Sequence, residues 1–303
     1  MKLRMTVRDC LYLNWALPAE ALPELAPPLR YQLHSWEGRD WVFASALLFH
    51  HDAVRLSALP ILRVSYPQFN LRFYVLDADG IPSVLFRRML MPAWMAPGVR
   101  LVSHQPAFAA RLDFPRPSAD AGDGPWHWKV VCGGTLDVRA WRDGSAVSSP
   151  LAGPRLGSWE ETVSYFQVRL RGYAENSGGA LRRIDVRRAA APAWPLRAEV
   201  SGSELLPELF RLPSTPPDTF EWPAIHSAWL CPELPFAFEQ AMAPREVTLV
   251  RGMPQPAAGR VAGAWRAKAA LRSSRQEEAP RDLRDLRDLR VHRDPRDARR
   301  ASC

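Results

Sequence analysis

The sequence predicts an α+β protein built on a curved antiparallel, β-barrel-like sheet with a few peripheral helices. Short apolar runs of strand character recur from residue 31 to 114, and Gly/Asp turn signals separate them. Helical start and stop signals occur in only two places, around residues 158–172 and 202–211. Strands at this spacing argue for a meandering sheet rather than βαβ units.

The elements follow in chain order. Lys2, Arg4 and Arg8 ahead of CLYLNWAL (10–17) and Ala19-Glu20-Ala21 imitate a secretion signal. Asp9 and Asn14 spoil that reading, so the stretch is taken as a strand entering the core and the protein as cytoplasmic. No run approaches the about 20 apolar residues of a membrane-spanning helix. Residues 31–36 and 41–49 form two strands across the turn Glu37-Gly38-Arg39-Asp40. Residues 64–75 form a third, and Asp77-Ala78-Asp79-Gly80 turns the chain into a fourth at 83–91. After a loop at 115–125, strand character returns over 126–140 on both sides of Gly133-Gly134. Ser158, with Glu161 three residues on, makes a capping box that starts a helix running to about Arg171 and stopping at Gly172. A short helix over 202–211 and a last strand over 245–250 complete the series.

A length of 303 residues suits two domains, yet one barrel can absorb about 250. Residues 1–252 read as that single domain. Residues 253–303, a Pro/Ala/Gly stretch followed by RDLRDLRDLR, read as a disordered tail. A hydrophobic content of 47% excludes disorder of the whole chain. The net charge of +8 conceals a bias, because 37 of the 40 basic residues are Arg and lysine occurs only at 2, 129 and 268. Residues 272–303 hold +3 of the excess and the rest is dispersed, which supplies solubility rather than a nucleic-acid surface. The four cysteines form neither a disulfide scaffold nor a zinc pattern.

His50 and His51 are adjacent and point to opposite faces of a strand. No other histidine has metal-type spacing, so neither metal nor cofactor is expected. There is no GxSxG elbow and no phosphate loop. Two strand faces remain. In the first, Gln68, Asn70, Arg72 and Tyr74 alternate with Phe69, Leu71, Phe73 and Val75. On an exterior strand this polar face is merely solvated. On an interior barrel strand it lines a cavity in which Arg72 orients a carboxylate or carbonyl. In the second, His127 and Lys129 oppose Trp126, Trp128 and Val130. Lys129 is the one lysine of the domain placed to form an imine, which needs an amine deprotonated by burial or a neighbouring cation. A surface lysine is the commoner outcome.

Several segments together carry a family likeness. They are Leu13-Asn14-Trp15 with Pro18 and Leu22, then Gly38 and Trp41-Val42, then FNLRFYV (69–75) followed by VLFRRMLMP (84–92). GSWEETVSYF (157–166), leading into Arg169 and Gly172-Tyr173, adds to them. Over about residues 13–250 the chain resembles the YqjF-like bacterial proteins of domain of unknown function 2071, whose fold is similar to the acetoacetate decarboxylase β-barrel. It departs from those relatives in carrying Gln68 where they have a glutamate, and Leu170 where they have an aromatic residue. The lysine pair of acetoacetate decarboxylases has no counterpart here. The resemblance implies that the face of Gln68, Asn70, Arg72 and Tyr74 lines a pocket.

The function expected is a small-molecule-binding barrel without decarboxylase activity. Arg72 is its anchor for an anionic or carbonyl ligand, Gln68, Asn70 and Tyr74 supply directional hydrogen bonds, and Arg87 of the next strand adds charge. Two alternatives stay open: an imine-forming enzyme acting on a keto acid through Lys129, and an interaction protein whose Arg-rich tail docks onto an acidic partner.

Overall fold

The apolar run near the N-terminus is a long strand, β1 (Lys2–Pro18). In the computed structural model residues 2–56, 59–103, 105–119, 122–143, 153–175, 180–187, 190–212 and 222–239 are described. All of them belong to one unit, Met1–Val250. The strand expected over 245–250 and the Arg-rich tail lie outside the described residues.

Thirteen further strands follow β1 among the described residues. They are β2 (Arg30–Tyr31), β3 (Leu33–Trp36), β4 (Arg39–Leu56), β5 (Leu59–Leu76), β6 (Pro82–Met91), β7 (Ala107–Ala109) and β8 (Arg111–Asp113). Then come β9 (Trp126–Val131), β10 (Thr135–Arg142), β11 (Arg171–Glu175), β12 (Leu181–Arg187), β13 (Trp194–Ser201) and β14 (Ser227–Glu239). Three helices accompany them: α1 (Ala96–Ser103), α2 (Trp159–Gln167) and α3 (Leu205–Phe210). The protein is therefore largely β, where the sequence suggested α+β. The strands form one curved sheet with neighbours in the order β1-β4-β5-β6-β11-β12-β14-β13-β10-β9-β8, and β1 also pairs with β14. The pairs are antiparallel except β6–β11 and β6–β7.

The expected hairpin joins β3 to β4 through a tighter turn than the sequence suggested. Trp36 faces Arg39, leaving Glu37 and Gly38 as the two turn residues with φ of 50° and 76°. Two left-handed residues in succession match the twist of the flanking strands, and glycine takes the second without steric cost.

Both faces of the central strands are covered. On one face Leu11, Leu13 and Trp15 of β1, with Val42 and Ala44 of β4, pack into one cluster with Trp126, Trp128, Leu136 and Val138 of β9 and β10. Leu206, Leu209 and Phe210 of α3 join it. On the other face Tyr12, Phe43, Tyr74 and Trp229 pack with Val163 and Phe166 of α2. This double burial explains why CLYLNWAL reads as a nearly continuous apolar run instead of an alternating one. Among the described residues no helix is long and apolar enough to cross a membrane.

Helix α2 begins as the sequence requires. Ser158 Oγ accepts from the Glu161 amide at 3.2 Å and the Glu161 carboxylate accepts from the Ser158 amide at 2.8 Å. It does not reach Arg171, however. Val168 is already extended, and residues from Arg171 onward pair in parallel with β6. Gly172 serves that pairing rather than a helix stop, since a Cβ there would stand 2.8 Å from Phe86 Cε2. Because α2 presents Phe166 to the sheet, its cap bears on the site described below. Ser158→Ala should lower stability by about 1 kcal/mol, read as a shift in the urea midpoint with an unchanged slope.

Candidate functional site

One row of residues crosses five neighbouring strands. Ser227 of β14 faces Asn14 of β1, Asn14 faces Ser45 of β4, Ser45 faces Arg72 of β5, and Arg72 faces Phe86 of β6. Strand alternation places all five on the α2 face. Asn14, Ser45 and Arg72 are buried, with Arg72 only 4% exposed.

Their protons can be assigned from the partners. The Ser45 hydroxyl donates to Asn14 Oδ1 at 2.6 Å, so its oxygen accepts from the Tyr74 hydroxyl at 2.9 Å. The Tyr74 oxygen then accepts from Arg72 Nε at 3.2 Å and Nη2 at 2.8 Å. Asn14 Nδ2 closes the chain onto the Ser227 carbonyl at 3.1 Å. Every bond thus runs in one direction, from guanidinium to phenol to hydroxyl to amide. Arg72 Nη2 also donates to the Phe166 carbonyl at 2.7 Å, near the end of α2, where carbonyls lack helical partners and the dipole favours a cation. The guanidinium stands 5.4 Å from the Tyr12 ring centre and 5.2 Å from that of Tyr74.

A second arginine reaches the same ring. Arg169, which follows α2, is 6% exposed, and its Cζ lies 4.9 Å from the Tyr74 centroid and 4.2 Å from that of Tyr165. Its Nη1 donates to Gln32 Oε1 at 3.1 Å, while Nε and Nη2 are buried without a well-formed hydrogen bond, the Tyr165 hydroxyl being a polar neighbour of the guanidinium. Burial pushes this guanidinium below its ordinary pKa and the charge of Arg72 adds to the effect. Beside it the Tyr165 hydroxyl meets His34 Nε2 at 2.8 Å. Burial, then the charges of Arg169 and His226, pushes His34 down to about 4, and burial raises the Tyr165 phenol. Both are therefore neutral at pH 7.

The four residues expected on β5 are all buried, but they divide into two networks. Arg72 and Tyr74 belong to the row above. Gln68 Oε1 accepts from His51 Nε2 at 3.0 Å, and Gln68 Nε2 donates to Asn70 Oδ1 at 2.7 Å. His50 points to the opposite face, toward the Pro115 carbonyl at 3.2 Å, as the alternation of β4 requires.

Two candidates stand elsewhere. Arg87 is not on the α2 face, because its neighbour Phe86 takes the place opposite Arg72 and a bulge follows in the β5–β6 register. It donates instead to the Phe210 carbonyl at 3.1 Å, at the end of α3. Lys129 is exposed on β9 next to His127, which pairs with Asp137, while Trp126, Trp128 and Val130 fill the core behind it. Sequence reasoning gave no role to Arg169, Tyr165, His34, Asn14 or Ser45. The only signals were a serine inside the apolar run 41–49 and two motif residues, Asn14 and Arg169. Among the described residues no group of three His, Cys, Asp or Glu side chains could hold a metal ion.

The model of DUF2071, described as an uncharacterized conserved protein, matches residues 4–224. The chain belongs to this family. No curated protein matches the sequence. Among solved structures, the enduracididine biosynthesis enzyme MppR with HEPES bound is similar at a TM-score of 0.54 and 12% identity, over 82% of this chain and 88% of MppR. MppR complexed with pyruvate gives 0.53 and 12%, over 81% and 90%. An acetoacetate decarboxylase-like enzyme from Sphingomonas wittichii RW1 gives 0.49 and 13%, over 78% and 90%. The likeness to MppR shows that this DUF2071 chain shares its fold.

The buried histidines make stability depend on pH. Burial holds His51 and His226 at about 4, against 6.5 for an exposed histidine. Below pH 6.5 the unfolded chain takes up protons that the folded chain refuses, so this contribution is complete above 6.5 and is lost as pH falls toward 4. Melting temperature should therefore fall across that window, and His51→Gln and His226→Gln should each flatten part of the slope.

Proposed function

We propose that this DUF2071 chain binds a small organic anion, a carboxylate or carbonyl compound, against Arg72 and Tyr74 on the α2 face. The observation that carries the reading is a buried guanidinium with no carboxylate partner among the described residues. An uncompensated charge costs several kcal/mol to bury, and a bound anion offsets that cost. Arg72 Nη1 makes no hydrogen bond to a described residue, so the donor for such a ligand is at hand.

Three further points support it. The pairings β1–β4–β5–β6–β11–β12–β14 and β14–β1 form a ring, which favours a closed barrel with Arg72 in its interior. MppR, of similar fold, is recorded with pyruvate, a small carboxylate bearing a carbonyl group. Lys129, exposed on another strand, favours binding without imine chemistry. The same reading takes residues 1–252 as the domain and 253–303 as an appended tail.

Calorimetric titration with a panel of small carboxylates tests the proposal. Wild type should bind at least one, and Arg72→Met should weaken that binding by about tenfold or more. Met fills the space but leaves the Tyr74 oxygen and the Phe166 carbonyl without their donor, so the variant should melt below wild type while remaining folded. Carboxylate should then raise the melting temperature of wild type alone. Lys129→Met should bind like wild type. Identical profiles for wild type and Arg72→Met would overturn the assignment.

A further inference from the structure

Several surface and half-buried arginines of this protein have carboxylates. Arg171 Nη1 meets Asp77 at 2.6 Å and Asp79 at 2.7 Å, Arg8 meets Asp52 at 3.0 Å and Glu233 at 3.2 Å, and Arg183 meets Asp185 at 3.1 Å. Arg72 and Arg169 are more deeply buried than these, at 4% and 6% exposure, and neither has an acidic partner among the described residues. Both lie against the Tyr74 ring, within a small molecule's length of each other. Two like charges held that close repel, and among the described residues only neutral groups, chiefly the Tyr74 and Tyr165 phenols, offset that repulsion.

Their hydrogen-bonding states differ in a useful way. Arg72 spends Nε and Nη2 on Tyr74 and Phe166, which leaves Nη1. Arg169 spends only Nη1, on Gln32, which leaves Nε and Nη2 together. Nε and Nη2 form the side edge of the guanidinium fork that grips a carboxylate by two parallel bonds. Leaving both buried without a well-formed hydrogen bond is unfavourable, and a bound carboxylate relieves it.

We propose that the ligand of this site is a small dicarboxylate, with one carboxylate gripped by the Nε/Nη2 edge of Arg169 and the other reached by Arg72 Nη1. The inference rests on the reading that Arg72 binds an anion, and it adds a second charge, a second anchor and a length. Two guanidiniums and two carboxylates neutralise one another. A monocarboxylate leaves one buried cation uncompensated, so the site discriminates against it.

The test compares matched pairs by calorimetry: succinate with butyrate, and glutarate with valerate. Wild type should bind a dicarboxylate at least about tenfold more tightly than its monocarboxylate partner. Arg169→Gln should bring the dicarboxylate to the monocarboxylate level and leave monocarboxylate affinity nearly unchanged, which also shows that the variant is folded. If that variant fails to fold, the wild-type pairs decide alone. Equal affinity within each pair, still dependent on Arg72, overturns the dicarboxylate and keeps the anion site. No binding of any carboxylate overturns both.

Discussion

The burial of the Arg72 guanidinium is the constraint around which this structure is organised. A cation removed from water must be met by dipoles, rings or anions, and here the first two are assembled from four separate parts of the chain. Tyr74 comes from the same strand, Ser45 from the adjacent β4, Asn14 from β1 beyond it, and the Phe166 carbonyl from α2. Each has one orientation that completes the chain of donors, so the register of β1, β4 and β5 and the seat of α2 are specified together. A polar network in a core rigidifies when its members are satisfied and is costly when one is missing.

That arrangement depends on a sheet covered on both faces. The packing of β9, β10 and α3 behind β1 and β4 leaves the opposite face for α2 and the two arginines. The parallel β6–β11 pair brings the segment after α2 back along the sheet, which swings Arg169 onto Tyr74. Shortening of α2 at Gln167 is part of the same geometry. A helix continued to Arg171 would carry Arg169 around its own axis, away from the ring.

Much of the fold was legible in the sequence. The turn at Glu37-Gly38, the capping box at Ser158 and the alternation of polar with apolar residues on β5 are local signals, decided by backbone sterics and side-chain direction within a few residues. Whether the polar side of β5 faced solvent or core was not local, because the same alternation suits both. Arg87 shows the limit clearly. A neighbouring strand promised a second charge beside Arg72, but the β5–β6 bulge and the inward Phe86 assign Arg87 to the end of α3. The second cation is Arg169, 97 residues further along, and no sequence spacing relates the two.

By itself the sequence determined roughly where β1, β3 to β6, β9 and β10 lie, though not β11 to β14, how α2 begins, that imine chemistry had one candidate lysine in the domain, and which family the chain resembles. All follow from short-range propensity, residue counts or motif matches. Tertiary structure alone decided that Arg72 is buried without a described acidic partner, that Arg169 joins it, and that Lys129 and Arg87 stand apart from it. Those outcomes depend on which faces are covered and which strands pair, which are long-range choices made by burying apolar surface on both sides of one sheet.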